Sequence, residues 1–320
     1  MNNKLLVTIL VLFGLFVSCA KNIEADDSRT DSTPPVVYFT TDVSPEGLMA
    51  VYKALGVTPS GKVAVKIHSG EPGNRNFLRP DFMAELVQSV NGSFIETNVA
   101  YPGPRATTAN HLKVGADHGF TAVAPFVILD ADGEISLPVK NGRHLKENLV
   151  GSKFVDFDYH IVISHFKGHQ MGGFGGALKN LSIGYASKSG KALIHSHGKS
   201  KTNPWGGNQI PFLESMAEAA KTVVDRANGN ILYINVMNKM SVDCDCDGGA
   251  ALPKMDDIGI LASLDPVALD QACIDLVWKA HDSKELIQRI VSKHGLRTIE
   301  YAAEIGLGSR EYELVEVSEN

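Results

Sequence analysis

Two histidines and a lysine crowd the end of one apolar segment in the run Ser164-His165-Phe166-Lys167-Gly168-His169, and Gly172-Gly173-Phe174-Gly175-Gly176 follows before Ala177-Leu178-Lys179. Imidazoles and amines offer proton transfer, anion pairing and metal ligation, provided a rigid element holds them in place. Strand ends position side chains and the loops beyond supply reach, so the run reads as the mouth of a binding or catalytic site. The backbone N–H groups of Gly172, Gly173, Gly175 and Gly176 and the helix start after them could face an anion, with Lys167 or Lys179 adding charge. Their spacing matches neither the Walker loop nor the dinucleotide fingerprint, and close packing or a lid explains the glycines equally well.

The second unusual run is Asp243-Cys244-Asp245-Cys246-Asp247. Residues two apart in extended backbone share a face, which turns both thiols to one side and the carboxylates to the other. Three fates are open to the thiol pair. A disulfide is at the limit of reach, since Cα atoms two apart in a strand lie about 6.5 to 7 Å from each other. Alternatively the thiols bind a zinc or iron ion together with imidazoles, or they stay free. Five of the eleven histidines lie between positions 160 and 197. His165 and His169 are four apart, while His195 and His197 alternate as two imidazoles on one strand face would. The candidate metal ligands are therefore Cys244, Cys246, His165, His169, His195 and His197. His160, inside an apolar segment, and Cys273, in a helical apolar stripe, read as core residues.

The elements that must hold these groups follow a strand, loop, helix rhythm. Strands are expected at 36–40, 62–67, 93–96, 159–164, 231–236 and 258–262, with an edge strand at 312–317. Helices are expected after the Ser44-Pro45 and Asp265-Pro266 starts, from 79 to 91, over 107–118 closed by Gly119, and over 210–227. This order predicts an α/β fold, a mostly parallel sheet flanked by helices, interrupted by a small β excursion near 121–155 that contains a hairpin around Asp130-Ala131-Asp132-Gly133. In a parallel sheet the strand exits lie along one edge, so His68 and Glu71, Glu96 and Asn98, the His165 run and the segment leading to Cys244 converge on one crevice. His68, Asn98 and Arg105 join the ligand-binding set on this ground. His111 and His118 share a helical face near Arg105 that is either exposed or a second wall of the crevice.

The chain has 320 residues, a net charge of -6, 44% hydrophobic and 21% charged residues, values that suit a globular domain with a real core. There is no basic footprint for nucleic acid, and a small ligand, anionic by the lysines around it, is the expected partner. Lys4 followed by an apolar run at 5–17 and then Phe16-Val17-Ser18-Cys19 reads as a lipoprotein signal over 1–18, with lipid on Cys19 tying the protein to the membrane of the bacterial cell envelope. Residues 19–35 then form a solvated tether and 36–320 a single α/β domain. With Cys19 acylated, Cys244, Cys246 and Cys273 remain, too few for a four-cysteine iron–sulfur cluster from this chain alone.

Several dispersed motifs, in order, resemble the family called domain of unknown function 362, whose members are often labelled uncharacterised Fe–S center proteins. They are residues 98–105 with His111 and His118-Gly119, the His165 to Asn180 run, Gly190-Lys191 with His195, Cys244-Asp245-Cys246, Asp257-Ile258-Gly259, and Asp265-Pro266-Val267-Ala268-Leu269-Asp270. Many relatives carry a ferredoxin-like cysteine cassette after the position of His195, where this chain has His197-Gly198-Lys199-Ser200-Lys201 and no cysteine. The resemblance implies the scaffold and the His/Cys/Asp constellation without an established reaction. The expectation is an envelope lipoprotein that holds a metal ion in a crevice at strand ends. Its rivals are a non-catalytic small-ligand-binding lipoprotein and a redox partner without a cluster of its own.

Overall fold

Short apolar runs bounded by turn residues form the twelve strands of the computed structural model, which describes residues 33–317. They are β1 Val36–Thr40, β2 Val63–Lys66, β3 Ser93–Glu96, β4 Phe126–Ile128, β5 Glu134–Pro138, β6 Glu147–Gly151, β7 Tyr159–His165, β8 Lys167–His169, β9 Gly173–Gly175, β10 Ile231–Met237, β11 Gly259–Ser263 and β12 Glu313–Glu316. Eight of them make one sheet in the order β12-β1-β11-β10-β7-β2-β3-β4, in which only β11 runs against its neighbours. The fold is α/β. The expected lipidation site Cys19, the expected signal at 1–18 and the expected tether up to residue 32 lie outside the described residues, among which no helix is long and apolar enough to cross a membrane.

Neighbouring residues of β7 face different cores: Val162 joins an apolar layer on one side, while Ile161 and Ile163 join that on the other. β10 alternates in the same way, with Tyr233 on one side and Leu232 and Ile234 on the other. A strand covered on both faces needs an unbroken apolar run, which is why Ile161-Val162-Ile163 lacks polar alternation. Helix starts follow local chemistry. Ser44 accepts from the Gly47 amide at 3.1 Å ahead of helix Pro45–Ala54. Asp265 accepts from Val267 and Ala268 at 2.8 and 3.0 Å ahead of helix Pro266–Lys279.

Two expectations change in detail. The hairpin around Asp130 does not form, because β4 pairs parallel with β3 at the edge of the main sheet, and β5 pairs instead with β6 to make the small β excursion. The glycine stretch is not a loop: β8 and β9 pair as an antiparallel ribbon, with Lys167 opposite Gly175 and His169 opposite Gly173. Gly168 in that ribbon is required by close approach, since a Cβ there would collide with the Val242 carbonyl. That contact lays the segment leading to Cys244 against β8.

Candidate functional site

The neighbours β10, β7, β2 and β3 are mutually parallel, so their C-terminal ends share one edge of the sheet. The chain runs from β2 outward to β3 and β4, then returns to β7 on the other side of β2, and this reversal of direction opens a crevice between β2 and β7. A cavity of about 270 Å³ occupies it. Its walls carry Lys66 and His68 from the end of β2, Glu96 from β3, His165 from β7, Lys167 from β8, and Cys246 from the segment after β10.

Most of its charges are already matched. Lys66 donates to Glu96 at 3.2 Å and to the Ile67 carbonyl at 2.5 Å. Arg105, fully buried, donates to Glu71 at 2.8 Å, to the Tyr101 hydroxyl at 2.8 Å and, at 3.5 Å, to Glu96. Lys167 meets Asp245 at 2.7 Å. Burial by itself would raise the Glu96 carboxyl, but Lys66, the histidines and Arg105 around it hold it well below the usual range. Asp245 is likewise held low against its burial by His165 and Lys167. Burial pulls the Lys167 amine down, and Asp245 with Cys244 more than restores it.

Two further lysines on the cavity wall differ. Lys179 lines the cavity and forms no ion pair among the described residues. Lys191 is buried and donates to the Thr97 hydroxyl at 2.5 Å and to the Ala186 carbonyl at 2.6 Å, neither of them charged. Burial pushes its amine down to about 7.

His169, Cys244 and Cys246 bring one ligand atom each to within 4.8 Å of one another, and neither cysteine is bridged. The ring of His169 is not presented as a metal ligand's is. Its Nδ1 accepts from the backbone amides of Met171 at 3.2 Å and Gly172 at 2.8 Å, so its one neutral lone pair is used and its Nε2 carries the proton. Metal-bound imidazoles instead donate from the second nitrogen. Hydrogen bonding with Cys246, aided by Lys179, Lys167 and His169, holds the Cys244 thiol well below its usual range despite burial, and the same sharing pushes Cys246 up.

Other expected ligands lie elsewhere or are otherwise committed. His165 has Asp245 at 2.9 Å from Nδ1 and the Asn238 carbonyl at 2.6 Å from Nε2, so neither nitrogen offers a lone pair. His195 and His197 do not share a strand face: His195 ends the helix Lys188–His195, and His197 follows in a left-handed turn beside His144. His195 does line the cavity, stacked on Phe212, with Nδ1 buried and unpartnered, and burial pushes it down to about 3. Asn98 is structural. Its side chain donates to Thr108 at 3.0 Å and its amide to Asp130 at 2.9 Å.

Anion capture by the helix start after the glycines is corrected as well. The first amides of helix Ala177–Ser182, those of Ala177 and Leu178, already donate to the Asp270 carboxylate at 2.8 and 2.9 Å. Gly173 owes its place to packing against Gly295, and the Gly172 amide serves His169. Only Gly175 and Gly176 of the stretch touch the cavity. His111 is buried behind the wall against Ser69, at 3.2 Å. Sequence reasoning missed Lys66, Thr97, Tyr101 and Lys191 as wall residues. A lysine closing the strand run Val63-Ala64-Val65-Lys66, and another in a helix started by Ser187, were the signals available.

Among solved structures, the lactate racemase apoprotein of Thermoanaerobacterium thermosaccharolyticum is similar at 15% identity and a TM-score of 0.43, covering 75% of this chain and 56% of that one. A protein from Thermotoga maritima is similar at 13% identity and a TM-score of 0.42, covering 81% and 58%. The chain thus spans a little over half the length of either. No protein of curated function matches the sequence. The family model for the domain of unknown function DUF362 matches residues 63–275, which include every strand end that lines the cavity, and the chain belongs to that family.

Proposed function

We propose that this protein binds a small anionic molecule in the crevice between β2 and β7. The carrying observation is that Glu71, Glu96 and Asp245 neutralise Arg105, Lys66 and Lys167, which leaves Lys179 and Lys191 on the cavity wall with no carboxylate of their own. A cavity of about 270 Å³ is at the small end for ligand sites and suits a molecule of a few carbon atoms. A panel of phosphate, acetate and oxalate tested by thermal unfolding checks the reading: at least one should raise the midpoint in a saturable way, and no response to any of them contradicts it.

The convergence of His169, Cys244 and Cys246 favours a second reading, a zinc or iron ion beside the anion site. It requires His169 to give up its bonds to the Met171 and Gly172 amides or the two thiols to bind without it. Metal content of protein purified without chelator, compared with the Cys244→Ser/Cys246→Ser double variant, decides it. Equal and negligible metal in both removes the ion. The envelope location rests on the apolar run before Cys19. Loss of the protein from the membrane fraction in a Cys19→Ser variant is the outcome expected, and an unchanged distribution speaks against lipid on that residue.

A further inference from the structure

Four lysine amines line the cavity, and they differ in what they face. Lys66 and Lys167 each face a carboxylate, at 3.2 and 2.7 Å, and a buried ion pair of this kind keeps an amine protonated and unreactive. The acceptors of Lys191 are a hydroxyl and a carbonyl. A buried ammonium without a counter-charge is costly, and shedding the proton relieves the cost.

The hydrogen-bond directions then locate the lone pair. Thr97 donates its own hydroxyl proton to the Gly184 carbonyl at 3.0 Å, so toward Lys191 its oxygen can only accept. The Ala186 carbonyl also only accepts. A neutral amine has two N–H bonds, and these two acceptors take both. What is left on the nitrogen, in a residue that lines the cavity, is the lone pair. Burial, which outweighs the nearby Asp130 and Glu96 with help from Lys66 and Arg105, pushes this amine down to about 7, consistent with that state near neutrality.

We propose that Lys191 is a nucleophile that forms an imine with a small carbonyl-bearing anion of the 2-oxo acid class. The inference rests on the anion reading above and deepens it. Lys179, the wall lysine without an ion pair among the described residues, supplies the charge that holds the carboxylate. The Lys191 lone pair attacks the keto carbon, a C–N bond forms, and the two amine protons leave with the former carbonyl oxygen as water. No oxidant or reductant is needed. His195, one turn further along the same helix and also on the cavity wall, has its buried Nδ1 free to pass the proton that the leaving hydroxyl requires.

The test is reductive trapping on the full chain. Protein is incubated with pyruvate and cyanoborohydride, the adduct is located by peptide mass mapping, and phosphate binding is measured on the same samples by calorimetry. The expected result is one adduct, on Lys191, absent from Lys191→Arg, with phosphate bound by the wild type. Wild type that binds phosphate and yields no adduct overturns this proposal and leaves the anion reading standing. Adducts spread over surface lysines and unchanged in Lys191→Arg overturn it also. Wild type that binds neither phosphate nor pyruvate removes the anion reading, and this proposal falls with it. Lys191→Met, matched to wild type by circular dichroism, guards against loss of the adduct through misfolding, and an adduct persisting in it counts against the assignment.

Discussion

On the β2 and β3 side of the cavity Lys66 and Arg105 meet Glu96 and Glu71, whereas on the side of helix Lys188–His195 the Lys191 amine meets a hydroxyl and a carbonyl, and nearby Lys179 meets no carboxylate. The first wall satisfies its own charges and has none to lend. The second leaves cationic and nucleophilic capacity directed at whatever enters. Charge that is paired inside a protein holds structure, and charge that is unpaired beside a cavity is available to a ligand.

The comparison breaks most visibly at Glu96. Glu96→Gln leaves Lys66 buried without its partner and weakens the setting of Arg105, so unfolding in urea should show a loss of about 3 to 5 kcal/mol, while a loss below about 1 kcal/mol would show that the wall is not held by its pairs. Its pH behaviour follows the sign of the shift. The folded carboxyl sits well below the ordinary 4.5, so its contribution is complete above that value and is lost as the pH falls through the lower, folded one. Wild type should therefore lose stability in acid more steeply than Glu96→Gln.

Lys191→Met has a smaller effect, with a pH signature of the same sign in a higher window. Leaving Thr97 and Ala186 without a donor should cost about 1 to 2 kcal/mol in mildly alkaline buffer. The folded amine titrates near 7 and the unfolded one near 10.5, so between these values the unfolded chain binds a proton that the folded chain does not. Stability of wild type relative to Lys191→Met should rise across that window. A flat difference, read by denaturant unfolding at several pH values, would mean the amine is charged in the fold. The smallest structural effect belongs to Lys179→Gln. It should leave stability within about 0.5 kcal/mol and weaken anion binding about tenfold, or about 1.4 kcal/mol.

What the sequence made legible was local. The unbroken Ile161-Val162-Ile163, the starts at Ser44-Pro45 and Asp265-Pro266, and the closing Gly119 depend on neighbours within one turn or one strand, and the structure has them where periodicity and capping put them. Parallel topology then brought His68, Lys167, His169 and Cys246 to one edge from positions far apart. The helix Lys188–His195 was missed because its apolar part is only Ala192-Leu193-Ile194 and Gly190 interrupts it. That glycine is there to let the helix approach the Leu149 carbonyl, a reason remote in sequence.

The chemistry of individual side chains was illegible for the same reason. His165 is committed to Asp245, 80 positions away, and the amide of Ala177 to Asp270, 93 positions away. Spacing can bring an imidazole to a crevice, but only its partners decide whether a lone pair is left.

Calorimetric titration of wild type and the Lys179→Gln/Lys191→Met double variant with phosphate, at low and at moderate ionic strength, tests the unpaired wall most directly. The account predicts saturable binding at one site in wild type, weakened by salt and abolished in the double variant. Equal affinity in both proteins, or no saturable heat in wild type at low salt, would contradict it.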